Sequence, residues 1–188
     1  MHDKEQGRLL IAHARASIER QLVQPVTALP RPDWLLMPGA VFVTLTRSGE
    51  LRGCIGSLVA HRPLIDDLQA NASAAAFRDP RFAPVTAVEW PEIRVEVSLL
   101  SKPEPIVFLD EADALHQLRP GIDGVIIEHG WHKATFLPQV WDQLPDARQF
   151  LGQLKRKAGL APDFWAPDLG LQRYTVEKFK EEATQEQA

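Results

Sequence analysis

Cysteine is almost absent from this chain: 188 residues contain one, Cys54, alongside a single tyrosine and two methionines. A lone thiol excludes an intrachain disulfide and a zinc site built from several cysteines. Long apolar runs are missing as well. No stretch approaches the about 20 residues needed to span a bilayer, so no membrane insertion is expected. The opening residues, Met1-His2-Asp3-Lys4-Glu5-Gln6, lack the apolar segment of a signal peptide. With one cysteine and no export signal, the expected setting is reducing and cytoplasmic. Excess positive charge is also absent. Lys and Arg total 21 against 25 Asp and Glu, a net charge of −4, so there is no general basic field to hold a phosphate backbone and no nucleic acid is expected. The six histidines make no metal motif. His129 and His132, with Glu128 nearby, come closest, but they fall in a turn and not one helical turn apart on a helix. Neither a metal nor a cofactor is expected.

What the chain does contain is an ordinary apolar fraction of 45%, enough for a real core. Its length suits one domain or two tightly linked lobes. Fifteen prolines against 11 glycines, with five tryptophans, point to many short elements joined by rigid turns, hence an α+β protein. No internal repeat is evident.

Local patterns place the elements. Leu10, Ala14, Ile18 and Leu22 recur every four residues and predict a helix over 4–23, closed by Pro25, Pro30 and Pro32. The β-branched run 40–46 reads as a strand, Ser48-Gly49-Glu50 as a turn, and 40–58 as a hairpin. Pro63 opens a helix whose first turn carries Asp66 and Asp67, favourable to the helix dipole, and which ends before Asp79-Pro80. Residues 92–100 alternate as a half-buried strand, with Ile93, Val95, Val97 and Leu99 on one face. A short helix is expected over 110–118 and a hairpin around His129-Gly130-Trp131-His132. Asp146 and Gln149 form a capping box for a helix that stops at Gly159. Lys155-Arg156-Lys157 sit in the last turn of that helix, where cations suit the dipole. Residues 171–180 read as a final strand, and 182–188 as a disordered polar tail.

The most unusual stretch is Leu51-Arg-Gly-Cys-Ile-Gly-Ser. If it is extended, Arg52, Cys54 and Gly56 share one face. Glycines leave a strand surface bare, so that another backbone or a ligand can come close. A guanidinium on the same face favours thiolate over thiol, which makes Cys54 a candidate nucleophile and Arg52 its activator. No base adjoins Cys54 in sequence, and a free cysteine also packs well as a small hydrophobe. Arg52 is suited to binding a carboxylate or phosphate bidentately, or to an ion pair with Glu96 or Asp79. Asp79 and Arg81 bracket Pro80 either as a rigid turn or as a loop facing the Cys54 strand. Glu96 lies on the polar face of its strand, where it is solvated unless that face is covered.

Six segments occur in order: Gly39-Ala-Val-Phe-Val-Thr-Leu, Leu51-Arg-Gly-Cys-Ile-Gly, Asp79-Pro-Arg-Phe, Glu96-Val-Ser-Leu-Leu, Phe136-Leu-Pro-Gln-Val and Lys157-Ala-Gly-Leu. Together they resemble the AMMECR domain family, whose bacterial members are called system protein A of the AmmeMemoRadiSam set. The resemblance spans about residues 6–181. It implies two α+β lobes, each an antiparallel sheet with helices, the larger lobe holding both termini and a cleft lying between them. The segment Leu51–Gly56 would face that cleft. The resemblance supplies no reaction. It implies partners instead, a Memo-like protein and a radical S-adenosylmethionine enzyme. The expected function is therefore binding of a large substrate, protein or other, around Arg52, Gly53, Cys54, Gly56, Asp79, Arg81 and Glu96, as accessory to those enzymes. The alternative is a thiol-dependent enzyme with Cys54 as nucleophile or redox thiol. The sequence leaves the oligomeric state open. His129 to Thr135 depart from the Gly- and Arg-rich stretch of relatives.

Overall fold

The structure is a computed structural model that describes residues 4–181. The chain divides into two units, the first running to Leu100 and resuming at Glu177, the second spanning Ser101–Val176. The expected tail, 182–188, lies outside the described residues.

In the first unit, α1 (Lys4–Gln21) buries the stripe of Leu10, Ala14 and Ile18. β1 (Ala40–Arg47) and β2 (Glu50–Gly56) form the hairpin. Its turn residues Ser48 and Gly49 both have positive φ, 52° and 83°, matching the twist of the strands they join. α2 (Leu64–Phe77) follows Pro63, and β3 (Ile93–Leu100) alternates as its sequence predicts. Val41, Val43 and Leu45 of β1 and Val95, Val97 and Leu99 of β3 point toward the two helices and form one core with Leu10, Ile18, Leu68 and Ala72. The opposite sheet face carries Phe42, Thr44, Thr46, Arg94, Glu96 and Ser98 by the same alternation.

In the second unit, β4 (Glu104–Pro105), α3 (Glu111–Gln117), β5 (Gly124–His129), β6 (His132–Phe136), α4 (Ala147–Lys157) and β7 (Gly170–Tyr174) pack around Val125, Ile127, Phe150, Leu151 and Leu154. Gly130 at the β5–β6 turn has φ 57°, and the Asp146 side chain accepts the Gln149 amide at 2.9 Å, which is the expected cap. Trp141 stacks on Phe150 with centroids 3.7 Å apart.

Two antiparallel sheets result, in strand order β2-β1-β3-β8 and β4-β7-β5-β6, with β8 formed by Val176–Lys180. The single strand expected over 171–180 is therefore two strands in different sheets. The break falls at Thr175, whose amide and carbonyl both bond to Ser101, the amide to its side chain and the carbonyl to its backbone. Apolar and polar residues alternate through the break, so no local signal marks it.

Two charged residues also sit differently from their sequence-based roles. Asp67 is fully buried. It accepts from the Val41 amide at 3.0 Å, Ser57 Oγ at 2.6 Å, Arg62 Nε at 2.9 Å and Asn71 Nδ2 at 3.0 Å, tying α2 to β1 and to the residue that follows β2. Lys155 is likewise fully buried, its Nζ 2.7 Å from Glu111 Oε1 and 5.2 Å from the Trp165 ring centre. It is a structural ion pair, not a solvated cation at the end of a helix.

Candidate functional site

Cys54 lies on β2, the edge strand of the first sheet, directly opposite Thr44 of β1. Thr44 in turn faces Glu96 of β3. The three residues form one row across the sheet, on the face turned away from the helices. Two strand spacings put Cys54 and Glu96 about 10 Å apart along that row. The thiol meets the Thr44 hydroxyl, Sγ to Oγ1 3.3 Å. Glu96 is held at the far end by Lys180, 3.1 Å away.

Backbone pairing explains the close thiol–hydroxyl approach. In an antiparallel ladder, opposed residues alternate between pairs that exchange hydrogen bonds and pairs whose side chains stand closer. The Cys54 amide and carbonyl point outward, away from β1. The amide donates to Asp79 Oδ2 at 2.9 Å, and the carbonyl accepts from Arg81 Nη2 at 3.2 Å. Side chains from the Asp79-Pro80-Arg81 loop thus take the place of a neighbouring strand and occupy a polar edge that would otherwise pair with another chain.

The loop is built for that task. Asp79 is 4% exposed and also accepts from the Arg81 amide at 3.1 Å, closing a tight turn on its own side chain. Arg81 forks onto the same carboxylate, Nε to Oδ1 2.9 Å and Nη2 to Oδ2 2.7 Å. The Arg81 guanidinium, with the Cys54 and Arg81 amides, holds the Asp79 carboxyl far below the usual carboxylate range against the opposing effect of burial.

Arg52 follows a different course from the one expected. The register shifts between Leu45 and Thr46, so Gly53 pairs with Leu45, Leu51 pairs with Thr46, and Arg52 is left as the bulged residue. Its partner is neither Glu96 nor Asp79 but Glu89, gripped bidentately at 3.0 and 2.9 Å. Arg52 chiefly, with Arg47 adding to it, pulls the Glu89 carboxyl below its ordinary value. Glu89 also accepts the Thr86 amide, which fixes the loop carrying it. The third guanidinium nitrogen, Arg52 Nη1, is buried and has no hydrogen-bond partner among the described residues. Phe82 lies near both cations, 5.9 Å from the Arg52 guanidinium and 5.5 Å from that of Arg81.

The two glycines have separate steric reasons. A Cβ on Gly53 would run into the Ala75 carbonyl oxygen of α2, and one on Gly56 into the Phe42 ring. Gly53 therefore seats a helix under the strand, whereas Gly56 leaves room for an aromatic ring on the face opposite that helix.

The structure brings Cys54, Asp79 and Arg81 into direct contact and sets Glu96 in the same row two strands away. Arg52 is turned toward Glu89. Thr44, Phe82 and Glu89 belong to the site but had not been singled out. Thr44 is legible from the alternation of β1, while nothing local points to Glu89. Among the described residues no group of three or more His, Cys, Asp or Glu could hold a metal ion, and no helix is long and apolar enough to cross a membrane.

A family model described as AMMECR1 matches residues 11–179. A protein of Methanothermobacter thermautotrophicus is 42% identical over 184 residues, covering 95% of this chain and 96% of its own length. One from Methanocaldococcus jannaschii is 38% identical over 186 residues, covering 94% and 90%. The crystal structure of an uncharacterised protein of Pyrococcus horikoshii superposes with a TM-score of 0.75 at 37% identity, covering 95% of this chain and 92% of that one.

Proposed function

Because the chain belongs to the AMMECR1 family, we propose that the sheet face around Cys54 is a binding surface for a large substrate, protein or other, and that the chain serves as accessory to a Memo-like protein and a radical S-adenosylmethionine enzyme. The observation that carries this reading is the row Cys54–Thr44–Glu96 on the sheet face opposite α1 and α2, with the Cys54 backbone clamped from the outside by Asp79 and Arg81. The clamp spends the polar groups of the strand edge and leaves the side-chain face for recognition.

A thiol enzyme needs a base beside its nucleophile or a cation that lowers the pKa of its thiol. Among the described residues Sγ meets a threonine hydroxyl, which is no base at neutral pH, and Arg52, the expected activator, is turned to Glu89. The geometry therefore favours contact over covalent chemistry at Cys54.

The test is co-purification of the chain with the two proposed partners, a Memo-like protein and a radical S-adenosylmethionine enzyme. The wild type and Cys54→Ser should both retain a partner, and Cys54→Gln, which adds bulk to the row, should lose it while remaining folded by circular dichroism. Failure of the wild type to enrich either protein would overturn the accessory role. Loss of function in Cys54→Ser with binding intact would favour the thiol enzyme.

A further inference from the structure

A second surface of the first unit is distinct in both shape and charge. Successive turns of α1, with Gly7 and Ile11 at its centre, run beside β8 and bound a groove of about 660 Å³. Its floor is apolar, made by Ile11, Pro91 and Phe179. Gly7 lets the helix settle directly on the Phe179 ring, which a Cβ there would strike. Its rim is cationic: Lys4, Arg8, Arg15, Arg94, Lys178 and Lys180 all line it, in a chain whose net charge is −4. One carboxylate, Glu181, lines the same groove, and Arg15 Nη1 holds it at 2.9 Å. Lys180 is matched by Glu96. Arg94 and Lys178 meet no carboxylate among the described residues, and Arg94 donates instead to the carbonyls of Pro91 and Ile93.

The groove also runs along a strand edge. β8 is the last strand of its sheet, opposite the edge that Asp79 and Arg81 close. The Glu181 amide donates to the Val95 carbonyl at 3.1 Å, so residue 181 points into the sheet. By the alternation of an antiparallel ladder, the amides and carbonyls of Lys178 and Lys180 point outward, toward the groove. The two edges of one sheet are thus treated differently: one is occupied by side chains, and the other, among the described residues, has no strand beside it and lies next to a band of cations.

We propose that this groove takes an extended acidic segment of a partner protein, added as a fifth strand beside β8. Main-chain pairing with Lys178 and Lys180 would supply affinity. Every second side chain of the segment would reach the Ile11–Phe179 floor, and the intervening carboxylates would meet Arg94 and Lys178. A compact phosphate or carboxylate ligand would use the cations and leave the strand edge unused, so the edge is what favours a peptide. The groove meets the Cys54 row at the Lys180–Glu96 pair, but the proposal uses neither Cys54 nor Glu96, so it can fail while the reading of that face holds, and the reverse.

The test is fluorescence anisotropy with a labelled, end-blocked peptide alternating Glu and Val. The comparisons are the same peptide N-methylated at alternate amides, and one alternating Lys and Val. The full chain should bind the Glu–Val peptide saturably, with affinity falling steeply as salt shortens the screening length from about 10 Å at 0.1 M to 3 Å at 1 M. Charge reversal at Arg94→Glu with Lys178→Glu should weaken binding at least about tenfold, the scale of two lost charge contacts. Both substitutions lie on exposed side chains, and circular dichroism checks the fold. Cys54→Gln should bind the peptide as the wild type does. Equal binding of the N-methylated peptide would overturn strand addition. No saturable binding of the Glu–Val peptide, or equal binding of the Lys–Val peptide, would overturn the site itself.

Discussion

Asp79 accepts the amide of Cys54 at 2.9 Å from the outer side of the edge strand, so that a side chain twenty-five residues along the sequence does the work of a neighbouring strand. The same carboxylate carries Arg81, which returns to the Cys54 carbonyl. The motif Asp79-Pro80-Arg81 is therefore first a device for holding the backbone of Cys54. Its bearing on the proposed binding follows from where that backbone places the thiol.

Asp79→Asn should weaken the clamp without emptying it, since one amide oxygen still accepts while the NH2 group meets a donor. The expected loss is about 1–3 kcal/mol, the range for a buried donor left unsatisfied. Urea unfolding followed by tryptophan fluorescence measures it. An unchanged midpoint would mean that the strand edge is held by other contacts.

The depressed Asp79 carboxyl also fixes a pH dependence. Its folded value lies below the ordinary 3.8, so the unfolded chain takes up the proton first as pH falls. Its stabilisation is thus complete above the unfolded value and is lost as the pH drops below about 3.8 toward the folded value. Comparing wild type with Asp79→Asn from pH 5 downward, the acid-induced loss should be shallower in the variant.

His13 titrates in a higher window. It is buried, with Nε2 2.8 Å from the Pro30 carbonyl and Nδ1 unpartnered among the described residues. Burial chiefly pushes its pKa below the ordinary 6.5, so the neutral ring is the folded form. The contribution is full above 6.5 and is lost as the pH falls through the lower, folded value. His13→Gln should flatten the stability profile just below pH 6.5. If the slope there is the same in both proteins, His13 is not its source.

The pair Lys155–Glu111 gives a test confined to the second unit. Glu111→Ala strands a fully buried ammonium and should destabilise by about 3–5 kcal/mol, whereas Lys155→Met removes the charge and keeps the volume, and should be far milder. Thermal unfolding of both variants checks the order. The reverse order would contradict a buried structural pair.

Much of this architecture is legible locally. The four-residue recurrence of Leu10, Ala14 and Ile18, the alternation of Ile93 to Leu99 and the cap at Asp146 each predict their element, because the physics that sets them acts within a few residues. Cys54, Asp79 and Arg81 stand out because glycines and a proline flank them. Three features escape that reading for one shared reason. The bulge at Arg52 depends on its partner strand, its bond to Glu89 spans 37 residues, and the burial of Lys155 depends on Trp165 and Glu111 folding over it. A sequence window shows the charge but not the partner. The division of 171–180 between two sheets is likewise made by Ser101, seventy-four residues away.

Gly53→Ala probes the packing beneath the thiol. Its new methyl group would meet the Ala75 carbonyl, an atom that moves only with the helix, so a loss of about 1–3 kcal/mol is expected from overpacking. Hydrogen exchange should show the weakening concentrated in β2 and the end of α2. Full stability in the variant would show that α2 shifts freely.

The central claim, that the Cys54 face is a binding surface, is tested most directly by alkylating Cys54 with iodoacetamide. The rate is followed in the folded chain alone and with the two proposed partners, a Memo-like protein and a radical S-adenosylmethionine enzyme, added. Binding at this face predicts that the thiol reacts in the free chain and is slowed in proportion to the fraction bound. Equal rates with and without saturating partners, or no reaction until the chain unfolds, would contradict it.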